Sequence, residues 1–562
     1  MLRRIILFLN LAFTIIMVIS INIVVGLDYK ISYHDASLKE FTSGVISSQD
    51  VGDLQTVTIT VNSMVKDFSY PCTLNKDSSY EDVQAYKQAQ RKAAKDYFTS
   101  ENLAAANSMK VKGYRERYIS KYSPIIEYSY DIDTFTSNYD EILANISSSR
   151  KVKTVDVYGY GKKSNIIPNL INTSSSDICS FDEIYIDRDY TGAGVNVGLL
   201  DGGIIDENHV NIANSNYLIR NEWYYIETVL DHPTLMASII GGNNGIAIDA
   251  RIMSVELFTF PTEEVEWLLD NDVDVVNMSF GFDNNPGVYD NMSAYFDYIS
   301  KTYGVTFIAA VGNSENNQYK VTNPALGYNV IGVGGSIYSN QFFGATCTEV
   351  DSGPFKPNIV APAAYLVIPN CQGSRGTSLS CAITTGVVAA LMEKHPYLKV
   401  RPDMVMAILN SGATFFPVGP DETVENGYNN YTGAGILNYH RSEADYRVLS
   451  RSLSINAEGS LSPYIFHECE MMYEGETLTV CVSSLAYANG DADDTKYPYI
   501  GINVFKEGEE LFILKGVYSD RSNVTFMNYT IPEDGYYVIE VVHFDQSNIT
   551  YPYEVAYSWH IG

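Results

Sequence analysis

Apolar and polar positions change their rhythm four times along the chain. Residues 1–26 open with Arg3 and Arg4, and an apolar run of some twenty residues ends in Val24-Val25-Gly26. A basic start, an apolar middle and small residues at the end lay out a secretory signal. The run is also long enough for a retained membrane anchor. From 27 to 163, strand-like and helix-like stretches alternate: "TVTITVNSMV" alternates with period two, "YEDVQAYKQAQRKAAKDYFTS" is a charged helix, "SPIIEYSYDI" a strand, "NYDEILANISSS" a short helix and "KVKTVDVYGYG" a strand. This predicts a small α+β domain. A polar stretch, "KKSNIIPNLINTSSSD", follows and reads as an exposed linker of the kind proteases cut.

From about 180 to 445 the strands become continuously apolar and alternate with helices. "GVNVGLL", "RIMSVELF", "VDVVNMSF", "VTFIAAV" and "NVIGVGG" are separated by helical stretches at 235–240, 262–271 and 289–303. That pattern predicts a parallel sheet with helices on both faces. After about 450 the helical period is gone. Short β runs such as "ETLTVCVSS", "PYIGINVFK" and "GYYVIEVVHF", separated by Gly, Asn, Asp and Pro, predict a β-sandwich or jelly roll. The expected division is 1–26 signal, 27–163 α+β domain, 164–450 α/β domain and 451–562 β domain.

Composition narrows the partners. The chain has 562 residues, 46% of them hydrophobic, which suits several packed domains rather than disorder. A formal charge of −30 argues against nucleic acid and is compatible with bound calcium. Seven cysteines match no zinc spacing. Cys469 with Cys481, flanking an apparent hairpin, and Cys347 with Cys371 are candidate disulfides, and the odd count leaves at least one thiol free. The acidic loop "NGDADD" does not follow EF-hand spacing and reads as solvated. Asn430, Asn528 and Asn548 begin glycosylation sequons.

Ligands of open α/β sheets bind beyond the carboxyl ends of the strands. There the chain places Asp201, after "VNVGLL", and Asn313, after "FIAAV". His232 opens the helix after the first strand, and Ser378 precedes the last long helix. A serine hydroxyl needs a base, a histidine can be that base, a carboxylate fixes the histidine tautomer, and an amide with a backbone N–H can hold an oxyanion. Gly376 permits a close backbone approach before Ser378. Asp206 and Asp231 are rival carboxylates, His209 suits a structural role, and Cys381 falls within the helix, where a buried thiol is expected.

The stretches themselves resemble the subtilisin-like serine peptidases. "YTGAGVNVGLLDGGI" resembles that family's aspartate motif, "NGIAIDARIMSVELF" the segment after its histidine motif and "DVVNMSFG" its substrate-binding strand. "FIAAVGN" is similar to its oxyanion segment, and "KPNIVAPAA" followed by "GTSLS" to the run into its nucleophile. The chain order Asp, His, Ser agrees, whereas an α/β-hydrolase esterase orders its triad Ser, Asp or Glu, His. The resemblance implies Ser378 as nucleophile, His232 as general base then acid, and Asp201 as orienting carboxylate. It further implies Asn313 and the Ser378 N–H as oxyanion donors, with Ser279, Phe280 and Gly281 as the strand that pairs with substrate.

That implies a secreted serine endopeptidase acting on proteins or peptides through an acyl-enzyme, with no cofactor needed and structural calcium compatible. Residues 27–163 stand where the family carries an inhibitory, folding-assisting propeptide. A membrane is a partner only if the N-terminal segment is retained, anchoring the protein at the outer face. Departures from the family's pattern occur at several positions, and those around His232 and Ser378 support a second reading, a catalytically silent subtilase-fold binding protein. Gly202 stands where a hydroxyl residue usually follows the aspartate, Pro233 replaces a glycine, Leu235 replaces a second histidine, and Ser380-Cys381-Ala382 replaces a run ending in proline.

Overall fold

The computed structural model describes residues 30–34, 38–39, 42–43, 54–65, 68–161, 166–168, 171–172, 189–212, 215–220, 231–257, 260–282, 285–314, 318–337, 341–364, 374–415, 427–444, 449–453, 464–488, 490–508, 513–544 and 553–562. The expected signal at 1–26 lies outside them, as does Cys371. Among the described residues no helix is long and apolar enough to cross a membrane. The chain divides into two compact units, residues 1–68 with 94–163, and residues 69–93 with 164–562.

The first unit is a five-stranded sheet. Its strands are β1 (Lys30–Tyr33), β2 (Leu54–Ser63), β3 (Glu116–Ile119), β4 (Ile125–Asp131) and β5 (Val152–Gly161), in the order β1-β5-β2-β4-β3. Only the β1–β5 pair is parallel. Helix α1 (Tyr80–Met109) and helix α2 (Ile132–Ser147) accompany it. Val57, Ile59 and Val61 of β2 share one apolar core with Phe135, Ile142 and Ile146 of α2. β-Branched residues at alternate positions fill a pleated surface, and the i, i+4 spacing of Ile142 and Ile146 puts both on one helix face.

The second unit holds the parallel sheet. Its strands are β8 (Asn196–Asp201), β9 (Tyr217–Ile219), β10 (Arg251–Glu256), β11 (Val275–Met278), β13 (Thr306–Ala310), β14 (Val330–Ile337), β15 (Gln341–Phe342) and β16 (Ile359–Pro362). They run in the order β15-β14-β13-β11-β8-β10-β9, with β16 on β14, and only β15 is antiparallel. Helices α3 (Asp231–Gly241), α4 (Thr262–Asp270), α5 (Asn291–Tyr303), α6 (Thr377–Lys394), α7 (Pro402–Ser411) and α8 (Tyr439–Ala444) surround it. Val197 and Leu199 of β8 share a core with α3, α6 and α7. A Cβ added to Gly198, on the opposite face by alternation, would meet Leu268 of α4 at 2.9 Å. Both faces are therefore covered, which is why these strands read as continuous apolar runs.

Two short strand pairs flank the sheet. β12 (Phe280–Phe282) pairs antiparallel with β6 (Ile166–Pro168), and β17 (Ser374–Arg375) pairs antiparallel with β7 (Ile171–Asn172). The polar stretch expected to be an exposed linker thus contributes two strands. A free strand edge offers unpaired N–H and C=O groups, and an extended chain of almost any composition can satisfy them.

Residues 69–93 belong to this second unit. Ser79 and Asp82 cap α1 reciprocally, Asp82 N–H to Ser79 Oγ at 3.1 Å and Ser79 N–H to Asp82 Oδ2 at 3.0 Å. One turn on, Lys87 forms a buried ion pair with Asp274 and donates to the Asp272 carbonyl at 3.1 Å. Asp274 also meets Lys399 at 3.3 Å and the Asn196 N–H at 2.9 Å. Burial opposes its charge, but these two ammonium groups and the N–H outweigh it and hold the carboxyl below its ordinary value.

The remaining strands are β18 (Leu449–Leu453), β19 (Tyr464–Met472), β20 (Thr477–Ser484), β21 (Tyr499–Lys506), β22 (Lys515–Ser519), β23 (Val524–Thr530), β24 (Gly535–Phe544) and β25 (Tyr553–Ile561). They form two four-stranded antiparallel sheets, β18-β25-β20-β23 and β19-β24-β21-β22. Val480, Val482, Ile502, Val504, Ile539 and Val541 join the two sheets in one core. The other face of the first sheet presents Cys481, Phe526 and Ala556 to the core of α6 and α7. Phe526 stacks on Tyr428 with centroids 5.3 Å apart, and Thr479 Oγ1 donates to the Ser411 carbonyl at 2.7 Å.

This arrangement overturns the expected Cys469–Cys481 disulfide. Cys469 is an exposed free thiol on β19 and Cys481 a buried one on β20, in different sheets. What resembled a hairpin joins strands that do not pair. Cys347 is also a buried free thiol.

Candidate active site

The strand order reverses direction at β8, which lies between β10 and β11. That is the switch point at which ligands of such sheets bind. Asp201 ends β8 there and is buried. Its Oδ1 accepts the Gly202 backbone N–H at 2.7 Å. The main chain thus gives the carboxylate one donor, whatever the side chain at 202. Asp201 Oδ1 and Oδ2 lie 3.1 and 2.9 Å from His232 Nδ1.

His232 sits in the first turn of α3. Pro233 is the third residue of that helix rather than the first. An N–H so near the helix start has no intrahelical acceptor, so proline there breaks no bond. Leu235 is buried in the main core, where a second histidine would need a polar partner. The other ring nitrogen, Nε2, is 3.1 Å from Ser378 Oγ.

Ser378 is the second residue of α6, and its whole surface is buried. Gly376, just before the helix, has φ +144°, a conformation that glycine alone adopts without strain. Ser378 Oγ also donates to the Ser279 carbonyl at 2.8 Å, and Ser279 Oγ donates back to the Ser378 carbonyl at 3.1 Å. This reciprocal pair ties the approach to β12 to the first turn of α6. Asn277 supports it, its Nδ2 donating to Ser279 Oγ at 2.9 Å, while Thr385 Oγ1 donates to Asn277 Oδ1 at 3.2 Å.

Asn313 follows β13 across the cleft. Its Oδ1 accepts the Thr377 N–H at 3.0 Å and lies 3.3 Å from the Thr377 hydroxyl. With the oxygen engaged on that side, Nδ2 is left buried and without a partner among the described residues. A buried donor with nothing to bond is costly, and an oxygen arriving beside it would be stabilised.

The structure thus brings together Asp201, His232, Ser378 and Asn313, with Ser279, Phe280 and Gly281 on the neighbouring strand. The rivals are elsewhere engaged or placed. Asp206 Oδ1 accepts the Asn208 N–H at 2.9 Å, and Asp231 is exposed at the start of α3. His209 Nδ1 accepts the Asn211 N–H at 3.3 Å. Cys381 Sγ donates to the Ile308 carbonyl at 3.2 Å, and burial pushes its thiol up to about 12, so no thiolate forms near neutral pH. Sequence reasoning missed Asn277 and Thr377. Thr377 adjoins Ser378 within "GTS" and Asn277 lies two residues before Ser279 within "VVNMSF", but only three-dimensional pairing reveals what they hold. In the acidic loop, Asp491 accepts the Asp493 N–H at 3.1 Å and Asp494 pairs with Lys496 at 3.1 Å. Among the described residues no three His, Cys, Asp or Glu side chains are grouped to hold a metal ion.

Residues 192–435 match the model of the subtilase family. The chain is 29% identical over 318 residues to the membrane-bound transcription factor site-1 protease of Rattus norvegicus, a match covering 50% of this chain and 28% of that protein. It is 28% identical over 250 residues to the subtilisin-like protease SBT6.1 of Arabidopsis thaliana, covering 39% of this chain and 23% of that protein. The matches therefore span less than a third of either relative. Among solved structures, fervidolysin from Fervidobacterium pennivorans, a keratinolytic enzyme related to subtilisin, aligns with TM-score 0.46 at 15% identity. That alignment covers 88% of this chain and 69% of fervidolysin.

Proposed function

We propose, from the premise that residues 192–435 are a subtilase-family domain, that the protein is a secreted serine endopeptidase working through Asp201, His232 and Ser378. The observation that carries this reading is the unbroken line of contacts from Asp201 to His232 Nδ1 at 2.9 Å and from His232 Nε2 to Ser378 Oγ at 3.1 Å.

In the proposed reaction, His232 takes the Ser378 proton as Oγ attacks a peptide carbonyl carbon. The oxyanion forms beside Asn313 Nδ2 and the Ser378 N–H. His232 then protonates the departing amine, and water hydrolyses the acyl-enzyme by the same proton path in reverse. Asp201 holds the imidazole in the tautomer that leaves Nε2 free to accept. All of this chemistry uses side chains and backbone of the chain itself, and no cofactor takes part.

The wider reading has the protein made as a self-processed precursor. Residues 1–26 direct export, 27–163 act as the inhibitory and folding-assisting propeptide, and 451–562 form a C-terminal β-sandwich. Substrates are proteins or peptides bound by strand addition to Ser279–Gly281.

The test is labelling of the processed protein with a fluorophosphonate probe, together with hydrolysis of a denatured protein substrate. Both activities are expected in the wild type and in neither Ser378→Ala nor His232→Ala. A folded, processed wild type that neither labels nor hydrolyses would leave the silent binding protein as the reading.

A further inference from the structure

We propose that Asn277 is a positioning residue for the reaction. It acts through Ser279 on the nucleophile and on the substrate-pairing strand at once, and Cys381 and Thr385 of α6 aim it. This rests on the peptidase reading above and adds to it three residues outside the triad.

Asn277 is a polar residue in an apolar place. It lies on β11 between Val276 and Met278, and strand alternation turns it to the same face as Val275, which shares the core of α6. Its surface is wholly buried. A buried amide is costly unless both its oxygen and its nitrogen are bonded.

Helix α6 meets that need from one face. Ser378, Cys381 and Thr385 stand at i, i+3 and i+7, a spacing that stacks them along the helix, and all three are wholly buried. Cys381 Sγ lies 3.3 Å and Thr385 Oγ1 3.2 Å from Asn277 Oδ1. Each also faces a backbone carbonyl, Cys381 that of Ile308 at 3.2 Å and Thr385 that of Cys381 at 2.9 Å, so each shares its proton with Oδ1. Two donors at Oδ1 fix the amide with its nitrogen toward Ser279, whose Oγ accepts from Nδ2 at 2.9 Å. The Ser279 hydroxyl has one proton to give. It goes to the Ser378 carbonyl at 3.1 Å rather than to Oδ1 at 3.2 Å, which the two α6 donors already serve.

The row of bonds thus leaves α6 at Cys381 and Thr385, crosses β11 and re-enters α6 at Ser378. It closes through Ser378 Oγ and the Ser279 carbonyl at 2.8 Å. What it fixes is the offset between the helix turn that carries Oγ and the stretch Ser279–Gly281 read as pairing with substrate. The departure at Ser380-Cys381-Ala382 falls within this row, where Cys381 serves as a donor. A residue that sets this offset affects kcat, through the approach of Oγ, and KM, through the register of the bound peptide. One that serves only stability changes how many molecules are folded and leaves both constants, per reactive site, as they were.

The experiment compares wild type, Asn277→Ala, Thr385→Val and Thr385→Ser, each expressed as the full chain. Fluorophosphonate titration to completion counts reactive sites, and kcat and KM per titrated site are measured on a peptide long enough to pair with Ser279–Gly281. Asn277→Ala should lower kcat about 10- to 100-fold and raise KM, since it removes one bond and leaves Ser279, Cys381 and Thr385 short of a partner. Thr385→Val should move both constants the same way by about fivefold. Thr385→Ser keeps the hydroxyl and should match wild type. Asn277→Ala with wild-type kcat and KM per titrated site overturns the proposal, whatever its melting temperature. A change in one constant alone overturns the coupling of nucleophile to substrate strand. If Asn277→Ala does not fold, the Thr385 pair decides: equal constants in Thr385→Val and Thr385→Ser overturn the proposal, and a loss in Thr385→Val alone sustains it. Folded wild type that neither labels nor hydrolyses overturns the peptidase reading itself, and the proposal with it.

Discussion

The side-chain oxygen of Asn313 accepts the backbone N–H of Thr377, 3.0 Å away, and lies 3.3 Å from the Thr377 hydroxyl. Thr377, the residue beside Ser378, thereby sets which end of the asparagine amide is held and leaves Nδ2 without a partner among the described residues. Replacing Asn313 by Ala should lower kcat about 10²- to 10³-fold, the usual loss for one oxyanion donor, with little change in KM. Thr377→Val keeps the N–H and removes the hydroxyl, so it should cost about tenfold or less, corresponding to roughly 1 kcal/mol of one hydrogen bond. Steady-state kinetics on a peptide substrate measures both.

Asp201 meets His232 through Nδ1 while its other bond is to the Gly202 N–H. Asp201→Asn should preserve the fold, yet its amide can present an N–H to Nδ1 and so favour the tautomer that protonates Nε2. A loss of about 10⁴ in kcat is expected. A Gly202→Ser variant should gain little, because the backbone already supports the carboxylate. Comparing kcat of the two variants with wild type checks both statements.

Asp297 predicts a stability slope in mild acid. It is wholly buried, accepts the Tyr328 and Asn329 N–H groups at 2.9 and 2.7 Å, and burial raises its carboxyl to about 6. An unfolded aspartate titrates near 3.9. The folded protein therefore binds the proton more tightly, and this group's contribution is full below about pH 4 and lost as pH rises through about 6. Asp297→Asn should flatten that part of the profile, read as Tm between pH 4 and 7.

Asp274 works in the opposite sense. Its carboxyl is held below the ordinary range, so its stabilisation is present above the unfolded value and disappears as pH falls through the folded one. Lys87→Met removes one of its two ammonium partners. The full chain should lose about 3 kcal/mol at neutral pH, and its acid unfolding should move to higher pH. Denaturant melts and an acid titration followed by circular dichroism test this.

Phe526 ties the C-terminal sheet to the core of α6 and α7 through its stacking on Tyr428. Phe526→Ala should cost about 3–5 kcal/mol by opening a cavity there. Removing the β-rich region altogether should expose an apolar face and produce aggregation rather than a free catalytic domain, as size-exclusion chromatography would show.

Much of the fold was legible in the chain. Buried parallel strands announce themselves as continuous apolar runs, and Asp201 and Asn313 stand at or just after two of them, while His232 and Ser378 stand in the first turns of helices. The rest depends on partners distant in sequence. Nothing in the polar surroundings of Ile166–Pro168 and Ile171–Asn172 signals a strand, because the hydrogen-bonding edges of β12 and β17 supply the reason for extension. Cys469 and Cys481 looked like neighbours because they are close in sequence, whereas sheet membership is decided by β24 and β25. The backbone bond from Gly202 to Asp201 could not be read from the sequence, because it depends on how the chain turns after β8.

The first C-terminal sheet contributes Cys481, Val524, Phe526 and Ala556 to the apolar core that α6 and α7 share. During synthesis, α6 leaves the ribosome long before β23 and β25 do. Until the strands of this sheet arrive, Ser411 at the end of α7 lacks the partners that Thr479 and Ser558 supply, so this helix completes its packing only once the C-terminal sheet has been made.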